Sequence, residues 1–437
     1  MSANIFLRKL ITKGQKYFYS WSECMDAQEN LARQFSALPK EWQIWLEENL
    51  ERGCSPTDLV NILLREGLID LDQNFAAQVP LEPQHDHQQE QNALEKQAQL
   101  SITFNQQQQK WLAQAVLNGT DQAYIYQTLQ QQGLSEIDIT LELAQLKQHP
   151  YFQIAQEQHF LVRKRNWLLN TLDCFARLNP QYQHISRITL PSFEQFIQQY
   201  YSRNLPVILT DSVAHWPALQ KWSPRYFKKT VGNQEVEVQF NREQDPMFER
   251  NSIQHKTKML MSEFVELIEQ TPHSNNFYMT ANNAKASQSS LATLFQDIDH
   301  FHGYTDHTQV YDRSFIWFGP KGAFTPLHHD LTNNILVQIY GRKKVTLIPA
   351  LQVPNLYNDV AVFSKIADPY QIDIEKSFPD FALSSKIECI LEPGEALFIP
   401  LGWWHCVESL DISMSVSFTH FNIDNSGAES FPTTNYC

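Results

Sequence analysis

The chain has 437 residues, a length that predicts two to three domains, and its 42% hydrophobic and 12% aromatic content excludes global disorder. With 34 lysines and arginines against 48 aspartates and glutamates, the net charge of −14 counts against nucleic acid as the main partner. No apolar run reaches the roughly 20 residues of a membrane span or forms a secretory signal, and the six cysteines make no CxxC pair, so a reduced, cytoplasmic protein is expected.

The first 170 residues or so read as helix, with apolar residues three and four apart, as at Trp42, Trp45, Leu46 and Leu50. Trp45–Leu68 matches Trp111–Leu134 without a gap at an offset of 66; Trp45/Trp111, Gly53/Gly119, Leu63/Leu129 and Gly67/Gly133 are among the identities. Each copy is predicted to be a helical hairpin, with glycine stops after both helices and a new start at Ser55-Pro56-Thr57-Asp58 or Thr120-Asp121. Such a hairpin cannot bury its apolar face alone, so the copies are expected to pack together as an all-α repeat bundle. The domain reading is 1–78 for the first copy, 79–100 for a polar linker, and 101–180 for the second copy with a connecting helix. His85 and His87 in the linker, and Arg163-Lys164-Arg165 in the connecting helix, read as solvated groups rather than ligand sites. The bundle is the expected recruiting surface for a substrate and the expected interface of a homodimer.

From about Ile185 the pattern changes to short β-type runs: Pro206–Thr210, Glu235–Gln239, Ser314–Phe318, Asn334–Tyr340, Lys344–Ile348, Ala396–Ile399 and Ser413–Phe418. Many short strands bounded by turn signals predict a sandwich or barrel, a jelly roll first among them, with helices at 192–202 and 261–270 beside it. The fold class expected is therefore α+β and multidomain.

The chemistry concentrates in Thr325-Pro326-Leu327-His328-His329-Asp330. In an extended segment residues i and i+2 share a face, so His328 and Asp330 can converge on one ion while His329 points away. His405, after the run Ala396–Ile399 and a tight turn, offers a third ligand. Two histidines and one carboxylate with the remaining positions open are the set used by non-haem Fe(II). The residues alone leave a structural role open. Trp403 and Trp404 read as packing residues, and Cys406 as a buried apolar one.

The stretch Ile316–Pro349, together with Glu392–His405 and Ser413–Phe418, resembles the JmjC, or cupin-like, 2-oxoglutarate oxygenases. Asn204–Asp211 and His215–Trp222 are similar to the same family's domain start. The likeness spans about 185–421, and within the family it is nearest in pattern to the JmjC hydroxylases of asparaginyl or arginyl side chains. The resemblance implies a double-stranded β-helix core over 181–423 with flanking helices, followed by a polar tail, 424–437. It implies Fe(II) on His328, Asp330 and His405, and 2-oxoglutarate as co-substrate, its far carboxylate gripped by Lys343 and Thr325. By the residues alone, Arg342, Lys343 and Lys344 are equivalent turn cations, and the choice of Lys343 rests on the resemblance. Tyr278 and Asn334 match family positions near the co-substrate, and Ser417 stands where some relatives carry asparagine. The implied reaction uses O2 to hydroxylate an unactivated C–H of a protein or peptide side chain, releasing succinate and CO2. The alternatives are hydroxylation of a small metabolite or natural-product precursor, N-methyl-lysine demethylation, and a non-catalytic cupin-like scaffold that binds a metal or ligand.

Overall fold

A computed structural model describes residues 37–51, 62, 63, 68 and 104–432, apart from 272, 285–287, 302 and 372. It divides into two compact units, Met1–His149 and Pro150–Cys437.

In the first unit α1 (Lys40–Glu51) carries Trp42 and Trp45, and α2 (Gln106–Leu117), α3 (Gln122–Gln131) and α4 (Glu136–Gln148) follow. Asn105, Asp121 and Ser135 cap the last three, each side chain accepting a backbone N–H of the first turn that has no partner within the helix. Helices α2 and α3 form the hairpin expected of the second copy, its second helix starting at Asp121 as the sequence predicts. With α4 they bury Leu112, Ile125, Leu129, Ile139 and Leu143 in one small core. Most of the first copy, including Gly53 and Gly67, and the linker 79–100 with His85 and His87 lie outside the described residues.

The second unit opens with α5 (Pro150–Ala176), 27 residues and so about 40 Å long. The break therefore falls before this helix, not after it at 180/181. The physical reason is an anchor at its C-terminal end: the buried Asp173 carboxylate accepts from Arg177 Nε at 2.7 Å and from Gln352 Nε2 at 3.1 Å.

Among the described residues, fifteen strands follow in chain order. The first five are β1 (Ser186–Thr189), β2 (Val207–Thr210), β3 (Glu235–Phe240), β4 (Lys256–Leu260) and β5 (Phe277–Tyr278). The next five are β6 (Ser314–Gly319), β7 (Phe324–His329), β8 (Asn334–Tyr340), β9 (Lys343–Ile348) and β10 (Asn358–Val360). The last are β11 (Phe363–Ser364), β12 (Ile387–Leu391), β13 (Ala396–Ile399), β14 (Trp404–Ser409) and β15 (Ser413–Phe418). Two six-stranded sheets form the jelly roll, in the orders β1-β2-β13-β8-β15-β6 and β10-β11-β7-β14-β9-β12. A three-stranded sheet, β4-β3-β5, flanks them and is tied to β6 by the bridge between Met279 and Phe318.

Strands β8 and β15 are buried along nearly their whole length rather than at alternate residues. Their inner face looks into the roll, and helical segments cover the outer face of their sheet, so both faces are dry. Phe196, in the predicted 192–202 helix, meets Phe398 of β13 at 4.9 Å, while Phe227 and Phe264 meet Phe318 of β6 at 5.2 and 5.4 Å. The start of the expected polar tail is held in place: Asn425 accepts from the Asn333 backbone N–H at 2.8 Å and donates to the Asn333 carbonyl at 3.0 Å. Among the described residues no helix is long and apolar enough to cross a membrane.

Candidate metal centre and co-substrate pocket

Strands β7 and β14 lie side by side, with His328 directly opposite His405. Two residues further along β14, Val407 faces Thr325, three residues back on β7, so β7 carries one extra residue: a bulge at Pro326-Leu327. Strict alternation would send Thr325 and His328 to opposite faces; the bulge re-aims the strand, and both line the same cavity. That cavity, about 280 Å³, lies between the two large sheets.

His328 Nε2 and His405 Nε2 lie 3.8 and 3.9 Å from the two oxygens of Asp330, and donor atoms of the three residues fall within 4.8 Å of one another. Each imidazole is oriented from behind by a backbone carbonyl: Nδ1 of His328 bonds Pro326 O at 2.8 Å, and Nδ1 of His405 bonds Trp403 O at 3.0 Å. With the proton on Nδ1, both Nε2 lone pairs point at the shared space. Burial, with His328 alongside, holds His405 down to about 4, so it is neutral and able to coordinate at neutral pH. Asn334 Nδ2 donates to Asp330 at 3.0 Å and fixes the carboxylate. Two imidazoles and an oriented carboxylate, open to a cavity on one side, suit a divalent first-row ion such as Fe(II). His329 borders the same cavity but stands outside the ligand set: its ring packs on Trp404 at 4.8 Å and its Nδ1 bonds the Asp330 carbonyl at 3.1 Å. Neither Trp403 nor Trp404 is a wall of the cavity: Trp403 donates its indole N–H to Asn204 O at 2.8 Å. Cys406 turns into a separate apolar cluster with Leu327 and Ile348, where burial pushes its thiol up to about 12.

Of the three turn cations, Lys343 is the one that points inward. Arg342 pairs with Asp411 at 2.8 Å and Lys344 with Glu388 at 2.9 Å, both at the surface. Lys343 is 1% exposed, and its hydrogen bond is to the Tyr278 hydroxyl at 3.0 Å. Burial without a facing carboxylate depresses the ammonium from its ordinary 10.5 to about 7. The turn that delivers it needs Gly341: φ is +67°, and a Cβ there would sit 2.1 Å from the Ile412 carbonyl. A buried cation that no acid of the described residues neutralises fits an anionic ligand.

Tyr278, Thr325, Asn334 and Lys343 all line the cavity with the His-Asp-His set, and Asn334 Oδ1 is a buried acceptor without a protein partner among the described residues. Ser417 does not line it. Its hydroxyl accepts the indole N–H of Trp317 at 3.0 Å, so it braces a wall residue from behind. Trp317 itself lines the cavity against Tyr278, with ring centroids 5.8 Å apart. Two further residues here escape sequence reading. Glu249 is a wall carboxylate, held by Arg242 at 3.0 Å and Gln239 at 3.3 Å. Arg242 is wholly buried, stacked between Phe248 and Tyr278 at 4.2 and 5.2 Å, and donates to Phe324 O at 2.7 Å. The segment Asn241–Arg250 looks like a polar loop, and no spacing rule marks one acid of several; only the fold shows which is enclosed.

Comparison with known proteins agrees with this architecture. A family model described as a cupin-like domain matches residues 193–425, more than half of the chain. Lysine-specific demethylase JMJ30 of Arabidopsis thaliana is 30% identical over 279 residues, covering 61% of this chain and 60% of that protein. Lysine-specific demethylase 8 of Xenopus tropicalis is 32% identical over 246 residues, 54% of this chain and 52% of its own. Arginine-specific demethylase JMJ20 of Arabidopsis thaliana is 26% identical over 264 residues, 54% and 56% of the two chains. The chain thus spans between half and two thirds of the length of these three relatives.

Proposed function

The chain belongs to the cupin-like domain family, with a core of the JmjC type, and we propose that it is an Fe(II)- and 2-oxoglutarate-dependent oxygenase that hydroxylates a protein side chain. The observation that carries this reading is one cavity holding both a two-histidine, one-carboxylate set and a buried lysine that no acid of the described residues neutralises. When bound, the ion and co-substrate supply the oxidation: 2-oxoglutarate and O2 become succinate and CO2, and one oxygen atom enters a substrate C–H bond.

The chain's own residues do the rest. Lys343 and the Tyr278 hydroxyl hold the far carboxylate of the dianion, and Thr325 offers a further donor from the re-aimed part of β7. Asn334 keeps Asp330 turned toward the ion, while the Pro326 and Trp403 carbonyls keep both imidazoles in the ligating tautomer. Leu336, Ile399 and Val407 give the cavity dry walls, which limits side reactions with water.

A protein target is supported by the relatives, which carry the names of lysine- and arginine-specific demethylases. Hydroxylation and demethylation share their first step; on an N-methyl carbon the hydroxylated product sheds formaldehyde, whereas on a ring or chain carbon the hydroxyl stays.

Anaerobic addition of 2-oxoglutarate to the Fe(II) protein tests the reading: a visible charge-transfer band is expected, followed in air by succinate. His328→Ala should show neither. A wild-type protein that gives no band and no succinate would refute the oxygenase. Mass spectrometry of proteins treated with wild type or His328→Ala then separates the outcomes, as gain of an oxygen atom or loss of a methyl group.

A further inference from the structure

Helix α5 is left largely uncovered by its own unit: of its 27 residues, Phe152 and Asp173 are the buried ones. Phe160, Val162 and Trp167 are exposed on other faces of the helix, but six of its exposed apolar residues fall in one register. Tyr151, Ile154, Leu161, Leu168, Leu172 and Phe175 are each between 42% and 82% exposed. They belong to one series, 151, 154, 158, 161, 165, 168, 172 and 175, whose steps alternate between three and four. That mean step of about 3.5 residues is the seam of a helix that packs along its length against another helix.

We propose that α5 of a second copy of this chain covers the seam, the two helices running antiparallel about a two-fold axis. Twelve side chains, each with roughly 100 Å² in water, amount to about 1,200 Å², the size at which stable interfaces begin. The two polar members of the series, Gln158 and Arg165, choose the direction. Parallel pairing in register would set Arg165 against Arg165 and Gln158 against Gln158, placing like charges face to face. Antiparallel pairing centred near residue 163 sets 151 against 175, 154 against 172, 158 against 168 and 161 against 165. Every polar seam residue then meets a leucine. The Arg165 stem lies along Leu161 of the other copy, and its guanidinium emerges near Glu157 one turn away. This places dimerisation on α5 rather than on the repeat hairpins, and it does not depend on the oxygenase reading.

Sedimentation equilibrium of the full chain across the micromolar range tests it, with a mass of twice 50.9 kDa expected. Leu168→Glu should raise the dimer dissociation constant at least ~100-fold, because the change occurs twice per dimer and puts a charge where a leucine was buried. Its melting temperature as a monomer and its succinate formation should match wild type, since the residue is exposed in the single chain. The direction is read from one position: Leu161→Lys should dissociate the dimer, whereas Leu161→Glu, facing Arg165, should keep it. A wild-type chain that stays monomeric throughout, or a dimer that Leu168→Glu leaves intact, overturns the proposal. Equal dissociation by Leu161→Glu and Leu161→Lys overturns the antiparallel pairing.

Discussion

Replacing Lys343 with methionine should make the ligand-free protein more stable and the enzyme worse. The ammonium is 1% exposed and donates to the neutral Tyr278 hydroxyl with no acid beside it among the described residues, and burial lowers it from 10.5 to about 7. A depression of that size corresponds to roughly 5 kcal/mol by which the fold disfavours the charged form. The unfolded chain carries that charge at no cost, so near pH 7 the native lysine lowers stability by several kcal/mol. Methionine, of similar length and without a polar atom to desolvate, should return about 3 kcal/mol of this after packing losses. The sign has a pH signature. A lysine whose folded value is depressed costs most below about 7, and the cost fades as pH rises toward 10.5, so the stability gap between variant and wild type should close over that window. Binding should move the other way: without the cation the far carboxylate of 2-oxoglutarate is buried unpaired, and its affinity should fall at least ~100-fold. Denaturant melts with and without the co-substrate, together with the KM for 2-oxoglutarate, read both effects. A Lys343→Met protein that is less stable yet keeps its affinity within ~3-fold would refute the assignment of this lysine to the co-substrate.

Three other outcomes follow from the same site. In wild type, 2-oxoglutarate affinity should be flat below pH about 7 and fall up to ~10-fold per unit above it, because a neutral Lys343 must first take up a proton; calorimetry in buffers of different ionisation enthalpy should detect that uptake. Gly319→Ala would put a Cβ 2.5 Å from Tyr278 Cδ2, so the ring must move; the KM for 2-oxoglutarate should rise ~10-fold with a smaller change in kcat. Arg242→Met leaves Glu249 enclosed without its cation and should cost ~3–5 kcal/mol in denaturant melts, whereas replacing both residues with apolar ones should recover most of it.

Much of this protein was legible in one dimension because local physics decides it. Capping residues and glycine stops act within a turn, so the α2–α3 hairpin and the start of α3 at Asp121 follow from sequence. Strand alternation acts over two residues, which is enough to bring His328 and Asp330 together without His329 between them as a ligand. The seven β-type runs likewise reappear as strands, since each is long enough and apolar enough to demand a buried face.

The remaining features are set by pairings between residues far apart in the chain. The bulge that brings Thr325 into the cavity exists only when β7 is matched against β14, whose residues lie about eighty positions away. Which of three adjacent cations enters the cavity depends on strands β12 and β14 flanking β9 and burying Lys343, while Asp411 and Glu388 hold its neighbours outside. Ser417 shares the strand of a family site residue, yet the indole of Trp317 occupies its hydroxyl, a contact spanning a hundred residues. The enclosure of Glu249 by Arg242 and Gln239 has no sequence signal, because exposure is a property of the assembled surface rather than of residue type. The sequence by itself determined the ligand types, their spacing along each strand and the strands that carry them. Tertiary structure decided which side chains are dry, and burial is what turns a lysine, an arginine or a histidine into part of a site.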